Sequence, residues 1–179
     1  MKRNNVITAA LITGFVLWLF RNKATAATDK AMELADTFLS IVEFPAIRND
    51  AAGSGAFGSS RDGGSRKHDG VDLKVQEGQA VHAPFPAKVV RYAYPYADNQ
   101  DYKGLVLRGI EGTEYEGLEM KIFYVDPFAG IVGAVVPAGA PVAFAQAISQ
   151  KYGNSAMTDH IHVELRMNNK LIDPTPFLI

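Results

Sequence analysis

The chain contains no cysteine, so it can build neither a disulfide framework nor a thiolate metal site. It has little net charge, formally −1 at pH 7, and no basic tract of the kind that neutralises a phosphate backbone, which argues against nucleic acid as a partner. Tryptophan occurs once and histidine four times in 179 residues, so any histidine cluster stands out. There is no internal repeat, and no low-complexity tract beyond one short glycine- and serine-rich stretch. Hydrophobic residues at 47% and charged residues at 21% fit one globular domain with an appendage.

The appendage is the first 23 residues. Met1-Lys2-Arg3 is basic, Val6 to Phe20 carries no charge, and Arg21 and Lys23 follow. As a helix these fifteen residues reach about 22 Å against a hydrocarbon core of about 30 Å, a marginal span. Two readings stand. The flanking basic residues and Trp18 favour an uncleaved anchor, whereas Ala24-Thr25-Ala26 resembles a signal-peptide cleavage site. Both put the remainder outside the cytoplasm, on the membrane in one case and secreted in the other.

Residues 24 to 44 read as an amphipathic helix, because Met32, Ala35, Phe38, Leu39 and Val42 recur at three and four before Pro45 stops the pattern. A stalk, a dimer seam and a strap lying on the domain are all compatible with such a stripe, and the oligomeric state stays open. Residues 45 to 56, with Ala51-Ala52-Gly53-Ser54-Gly55-Ala56, read as a flexible linker. From Phe57 to Ile179 the pattern is strands and turns, so the fold class is all-β. The expected strands are 71 to 75, 80 to 83, 87 to 93, 104 to 109, 117 to 124, 141 to 145 and 160 to 166, with a helical turn within 146 to 152.

Asp159-His160-Ile161-His162-Val163-Glu164-Leu165-Arg166 has the strictest alternation in the chain. On a strand, His160, His162 and Glu164 look one way and Ile161, Val163 and Leu165 look into a core. Adjacent imidazoles on one face suit a transition metal, and two exposed strand histidines are the plainer alternative. Upstream, His68 and Asp72 lie four apart where the alternation of Val71, Leu73 and Val75 begins. Three protein ligands with an open fourth position describe a catalytic rather than a structural zinc. His82 reads as a surface or strand histidine. Glu164 is either an orienting partner for a ligand or an edge carboxylate in solvent.

His68-x-x-x-Asp72, then His160-x-His162, then Asp173-Pro174-Thr175-Pro176-Phe177-Leu178 resembles the LytM/lysostaphin-type zinc endopeptidases, which cut peptidoglycan cross-bridges. The likeness runs from about Phe57 to Leu178. Ala83-Pro84-Phe85-Pro86-Ala87-Lys88-Val89-Val90 and Lys121-Ile122-Phe123-Tyr124-Val125-Asp126-Pro127 look closest to the leukocyte-cell-derived chemotaxin branch, a secreted zinc-binding relative considered a signalling protein. The resemblance implies an antiparallel sheet or sandwich and Zn²⁺ as cofactor. It implies His68, Asp72 and His162 as metal ligands, His160 as the catalytic proton carrier, and a peptidoglycan peptide as the partner. It implies an endopeptidase of cell-wall lysis or remodelling, with a non-catalytic zinc-binding module that recognises cell-wall peptide or a protein as the alternative. One position departs from the pattern: the family's second catalytic histidine is replaced by Asp126, which on this alignment belongs beside the metal.

Overall fold

Strand formation follows the period-two pattern of the sequence, and the best-patterned segment becomes the most heavily paired one. The computed structural model describes residues 32 to 153 and 156 to 179. In chain order the strands are β1 (Asn49–Asp50), β2 (Gly53–Ser54), β3 (Ser60–Arg61), β4 (Arg66–Lys67), β5 (Val71–Lys74), β6 (Ala80–His82), β7 (Ala87–Ala93), β8 (Gly104–Gly109), β9 (Leu118–Phe123), β10 (Val125–Pro127), β11 (Val135–Val136), β12 (Pro141–Ala145), β13 (His160–Met167) and β14 (Lys170–Ile172). Short helical turns lie at Asp62–Gly64, Ile148–Lys151 and Thr175–Leu178.

The main sheet runs β11-β7-β8-β9-β13-β14, with β5 added beside β13. β13 pairs with β9 along one edge, and the other edge is shared between β5 at its beginning and β14 at its end. A three-stranded sheet of order β10-β12-β6 and two short hairpins, β1-β2 and β3-β4, make up the rest. All described pairings are antiparallel, as the all-β expectation requires. Ile161, Val163 and Leu165 of β13, with Leu73, Met120, Ile122 and Leu105, are fully buried and form the core beneath this sheet. The opposite face of β13 carries His160, His162 and Glu164.

The segment before Pro45 departs from the expected amphipathic helix over 24 to 44. Among the described residues, helix covers only 32 to 35. Beyond it the chain lies down on the domain as an irregular strap. The Leu39 amide donates to the Pro84 carbonyl at 2.8 Å, Ile41 and Val42 are buried, and the Phe38 ring sits 5.0 Å from both Phe85 and Phe177. Packing of these side chains outweighs the weak preference of so short a helix for its own hydrogen bonds. The compact unit accordingly begins at Leu34.

The expected linker over 45 to 56 is likewise ordered. It forms the β1-β2 hairpin and hydrogen-bonds to β5, with Arg48 N donating to Asp72 O and Asp72 N to Gly55 O, both at 2.8 Å. Gly55 serves close approach rather than flexibility, since a Cβ there would stand 2.6 Å from Asp72 Cβ. The proposed membrane segment, residues 1 to 23, lies outside the described residues. No helix among the described residues is long and apolar enough to cross a membrane.

Candidate functional site

Two of the expected ligands meet because strand register makes them neighbours. His162 and Asp72 are direct cross-strand partners of β13 and β5. Partners on one face have Cβ atoms about 5 Å apart, and here His162 Nδ1 lies 2.9 Å from Asp72 Oδ1. Gly70 opens the way. A Cβ at that position would stand 2.3 Å from the Val163 carbonyl oxygen and 2.8 Å from the His162 ring.

His68 enters from the end of the β3-β4 hairpin, with Nε2 3.1 Å from Asp72 Oδ1 and 3.0 Å from His162 Nδ1. Its Nδ1 faces the Ala56 carbonyl at 3.0 Å, a geometry that assigns the proton to Nδ1 and leaves the Nε2 lone pair facing Asp72 and His162. On the far side of His162, Nε2 is 3.6 Å from Glu164 Oε1, and Glu164 is itself held by Lys121 Nζ at 2.8 Å.

Three lone-pair atoms thus converge within 2.9–3.1 Å of one another. Such an arrangement is repulsive unless a proton or a cation sits among them. Tetrahedral zinc, with bonds of about 2.0–2.1 Å, sets its ligand atoms about 3.3 Å apart. The donor set, its burial and its spacing therefore fit a zinc ion. Without one, a proton substitutes: burial opposes charge on His162, but hydrogen bonds to Asp72 and Glu164 outweigh it and raise its pKa. Burial likewise pushes the Asp72 pKa upward, and the hydrogen bonds from His162 and His68 overcome it, holding the carboxyl far below the usual range.

His160 occupies the next position on the same face. Its Nδ1 is 2.8 Å from the Thr158 carbonyl, so the proton belongs on Nδ1 and Nε2 is left as a free base 3.9 Å from Asp72 Oδ2. Burial lowers its pKa, which keeps the ring neutral near pH 7. The structure thus brings His68, Asp72 and His162 into one cluster and sets His160 beside it. His82 lies apart on β6, half-buried, as the sequence suggests.

Asp126 does not join them. Tyr124 adopts a positive φ of 64° between β9 and β10, and this turn breaks the alternation, so that the Tyr124 side chain lines the cleft and Val125 enters the core. Asp126 points outward, pairs with Lys103 Nζ at 3.1 Å and borders a separate depression with Phe144 and Gln146. The position expected beside the metal is therefore off the site.

The cleft over the cluster has a volume of about 400 Å³. Three contributors to it escaped the sequence pattern. Arg48, buried, sends Nη2 to Asp72 Oδ2 at 3.1 Å and Nη1 to Asp50 Oδ1 at 2.7 Å. Tyr124 lies edge-on to His160, with ring centroids 5.4 Å apart. Tyr152 forms a further part of the wall. Arg61 also reaches Asp72 Oδ2, at 3.4 Å, from the β3-β4 hairpin.

No protein-family model matches the chain. Leukocyte cell-derived chemotaxin-2 of the mouse is 30% identical over 130 residues, covering 72% of this chain and 76% of the mouse protein. A zinc-containing peptidase from Vibrio cholerae superposes with a TM-score of 0.56 at 20% identity, covering 80% of this chain and 40% of the peptidase. Lysostaphin superposes with a TM-score of 0.56 at 16% identity, covering 80% of this chain and 54% of lysostaphin. The chain therefore spans about half or less of these two peptidases.

Proposed function

The chain belongs to the LytM/lysostaphin-type peptidase family, on the side of its leukocyte cell-derived chemotaxin relatives, and from that premise we propose that it is a zinc-dependent endopeptidase acting on peptidoglycan peptides. The observation that supports this most is the convergence of His68 Nε2, His162 Nδ1 and Asp72 Oδ1, with the free Nε2 of His160 beside them. Those three residues would hold the ion, and zinc there would supply the Lewis acidity that amide hydrolysis requires.

The chain's own groups divide the remaining work. Arg48 grips the Asp72 oxygen that the histidines leave free, fixing the carboxylate's orientation. Glu164 holds the far nitrogen of His162, and Lys121 holds Glu164. His160 Nε2 takes a proton from water as the water oxygen bonds to the scissile carbonyl carbon and the π pair moves onto the carbonyl oxygen. When the C–N bond breaks, the same nitrogen returns that proton to the departing amine. A peptidoglycan substrate puts the domain outside the cytoplasm, in keeping with the apolar segment Val6 to Phe20.

A second reading draws on the chemotaxin relative, whose name describes a signalling protein rather than a peptidase. In it the zinc cluster stabilises a module that binds cell-wall peptide or a protein and cuts nothing. Digestion of purified murein by the zinc-loaded full chain separates the two. New amine termini that disappear in His160→Ala, with zinc content unchanged, support the enzyme. A zinc-loaded, folded chain that releases none overturns it in favour of the binding module.

A further inference from the structure

A hydrogen-bond donor to the carbonyl oxygen adds to the Lewis acidity that a bound zinc would supply, and the proposed function assigns the base for water but no such donor among the chain's own residues. The donors lining the cleft are few. The two terminal nitrogens of Arg48 are committed to Asp72, Asp50 and the Gly53 carbonyl, and its remaining Nε is buried rather than presented to the cleft. Arg61 is shared between Asp72 and the Ser60 carbonyl, and Arg66, largely exposed, holds Asp62. The hydroxyls of Tyr124 and Tyr152 remain.

These two phenols are linked through a third. Tyr96 OH donates to Tyr124 Oη at 3.4 Å and meets Tyr152 OH at 2.8 Å. Either hydroxyl can donate across the shorter contact; with Tyr96 as donor to Tyr124, the Tyr152 hydroxyl completes the link by donating to Tyr96. The chain of donation therefore runs Tyr152 to Tyr96 to Tyr124 and stops there. The Tyr124 proton has no acceptor among the described residues, and its hydroxyl is on a ring set edge-on to His160. Tyr96 is held in place by Lys151, whose Nζ sits 3.9 Å from the ring centroid, and by the Tyr102 ring at 6.1 Å. Hydroxyls linked in one direction polarise one another, which strengthens the terminal donor.

Resting on the peptidase reading, we propose that Tyr124 is a catalytic residue, donating its free O–H to the scissile carbonyl oxygen as that oxygen gains charge, with Tyr96 and Tyr152 as positioning residues that polarise it. The proton stays on Tyr124 throughout; only the hydrogen bond strengthens. Burial raises the Tyr124 pKa further above neutrality, which keeps the donor in place. The strained left-handed backbone at Tyr124 has a consequence in this light, because it is the turn that brings the phenol to the cleft while Asp126 faces away.

The test uses the zinc-loaded full chain, purified murein, and a phosphinic isostere of acetyl-alanyl-alanine amide as a mimic of the tetrahedral stage. Tyr124→Phe should keep its zinc and its KM, lose about 10²- to 10³-fold in kcat, the typical cost of one oxyanion donor, and bind the isostere more weakly by a similar factor. Tyr96→Phe should lower kcat and isostere affinity by less, again with KM unchanged, a split that loss of structure alone would not produce. Equal kcat and equal isostere affinity in parent and Tyr124→Phe would overturn the assignment. Should Tyr124→Phe fail to fold or lose zinc, Tyr96→Phe decides: weaker isostere binding with zinc in place supports the polarised donor, and affinity equal to the parent's overturns it. If the parent cuts no murein, the peptidase reading fails, yet isostere binding still speaks. Affinity that depends on the Tyr124 hydroxyl upholds the donor, and affinity indifferent to it, or no binding at all, refutes it.

Discussion

Arg48 and Asp72 form a buried ion pair, Nη2 to Oδ2 at 3.1 Å, with both side chains 5% exposed. The pair uses the carboxylate oxygen that His68 and His162 do not contact, so one guanidinium orients the ligand and neutralises it in the absence of a cation. Removing one partner of a buried pair leaves an uncompensated charge and typically costs about 3–5 kcal/mol. Arg48→Leu should therefore lower unfolding free energy by about that much, read by urea titration. It should also weaken zinc binding by about 10- to 100-fold, the usual cost of losing a group that orients a ligand.

Replacing a ligand and replacing the base should have different signatures. His68→Ala and His162→Ala each remove one of three donor atoms, and metal analysis after dialysis should find their zinc gone. His160→Ala should keep one zinc per chain and lose murein turnover, because its Nε2 stands 3.9 Å from the nearer Asp72 oxygen rather than in the converging set. Full zinc retention by His162→Ala would sink the ligand assignment.

How far the site could be read in advance depended on whether its geometry is local. The period of two in Asp159 to Arg166 and the four-residue spacing of His68 and Asp72 are local: the first became β13, and the second sets His68 Nε2 3.1 Å from Asp72 Oδ1. β13 extends one residue past the expected strand, and β5 stops one residue short. Arg48 was illegible because its role depends on a residue 24 positions away across a backbone contact. Gly55 was misread because a glycine in a flexible linker and a glycine required by close approach have the same composition around them. Asp126 was misplaced and Tyr124 missed because a single left-handed residue changes which side chains face inward, and a tyrosine gives no sequence warning of a positive φ.

Gly70 should tolerate no side chain. The Cβ of Gly70→Ala would meet the Val163 carbonyl oxygen at 2.3 Å, and the backbone oxygen of a central strand cannot swing aside. Overpacking of this kind typically costs about 1–3 kcal/mol. Because the same Cβ meets the His162 ring at 2.8 Å, zinc affinity should fall along with stability, whereas Gly78→Ala, with nothing near its Cβ, should leave zinc affinity unchanged.

The metal-free chain should lose stability in acid through Glu164. Burial alone would raise this carboxyl, but its contacts with His162 and Lys121 outweigh burial and depress its pKa from 4.5 to about 2. A depressed folded pKa means stability that is fully present above the unfolded value and lost as pH falls from about 5 toward 2. The shift is worth about 3 kcal/mol. Asp72, depressed in the same direction, adds to the same trend. Urea midpoints at pH 7 and pH 3 should differ accordingly, and Lys121→Met should shrink the difference.

Asp126 supplies the last prediction. Its side chain is 61% exposed and its partner Lys103 is 41% exposed, so the ion pair is screened by water and contributes at most about 1 kcal/mol. Nothing in its surroundings links it to the cluster: its strand partner is Phe144, itself exposed, and the residue before it, Val125, is in the core. A carboxylate facing solvent on a strand of the three-stranded sheet cannot hold water against the scissile carbonyl. Asp126→Ala and Asp126→His should then leave zinc content and murein turnover within about twofold of the parent, in contrast to the gain that a histidine restored beside the metal would bring, commonly about 10²-fold for one donor. A tenfold or larger rise in Asp126→His would mean that the β9-β10 turn can rearrange to swing this position into the cleft, displacing Tyr124 from it.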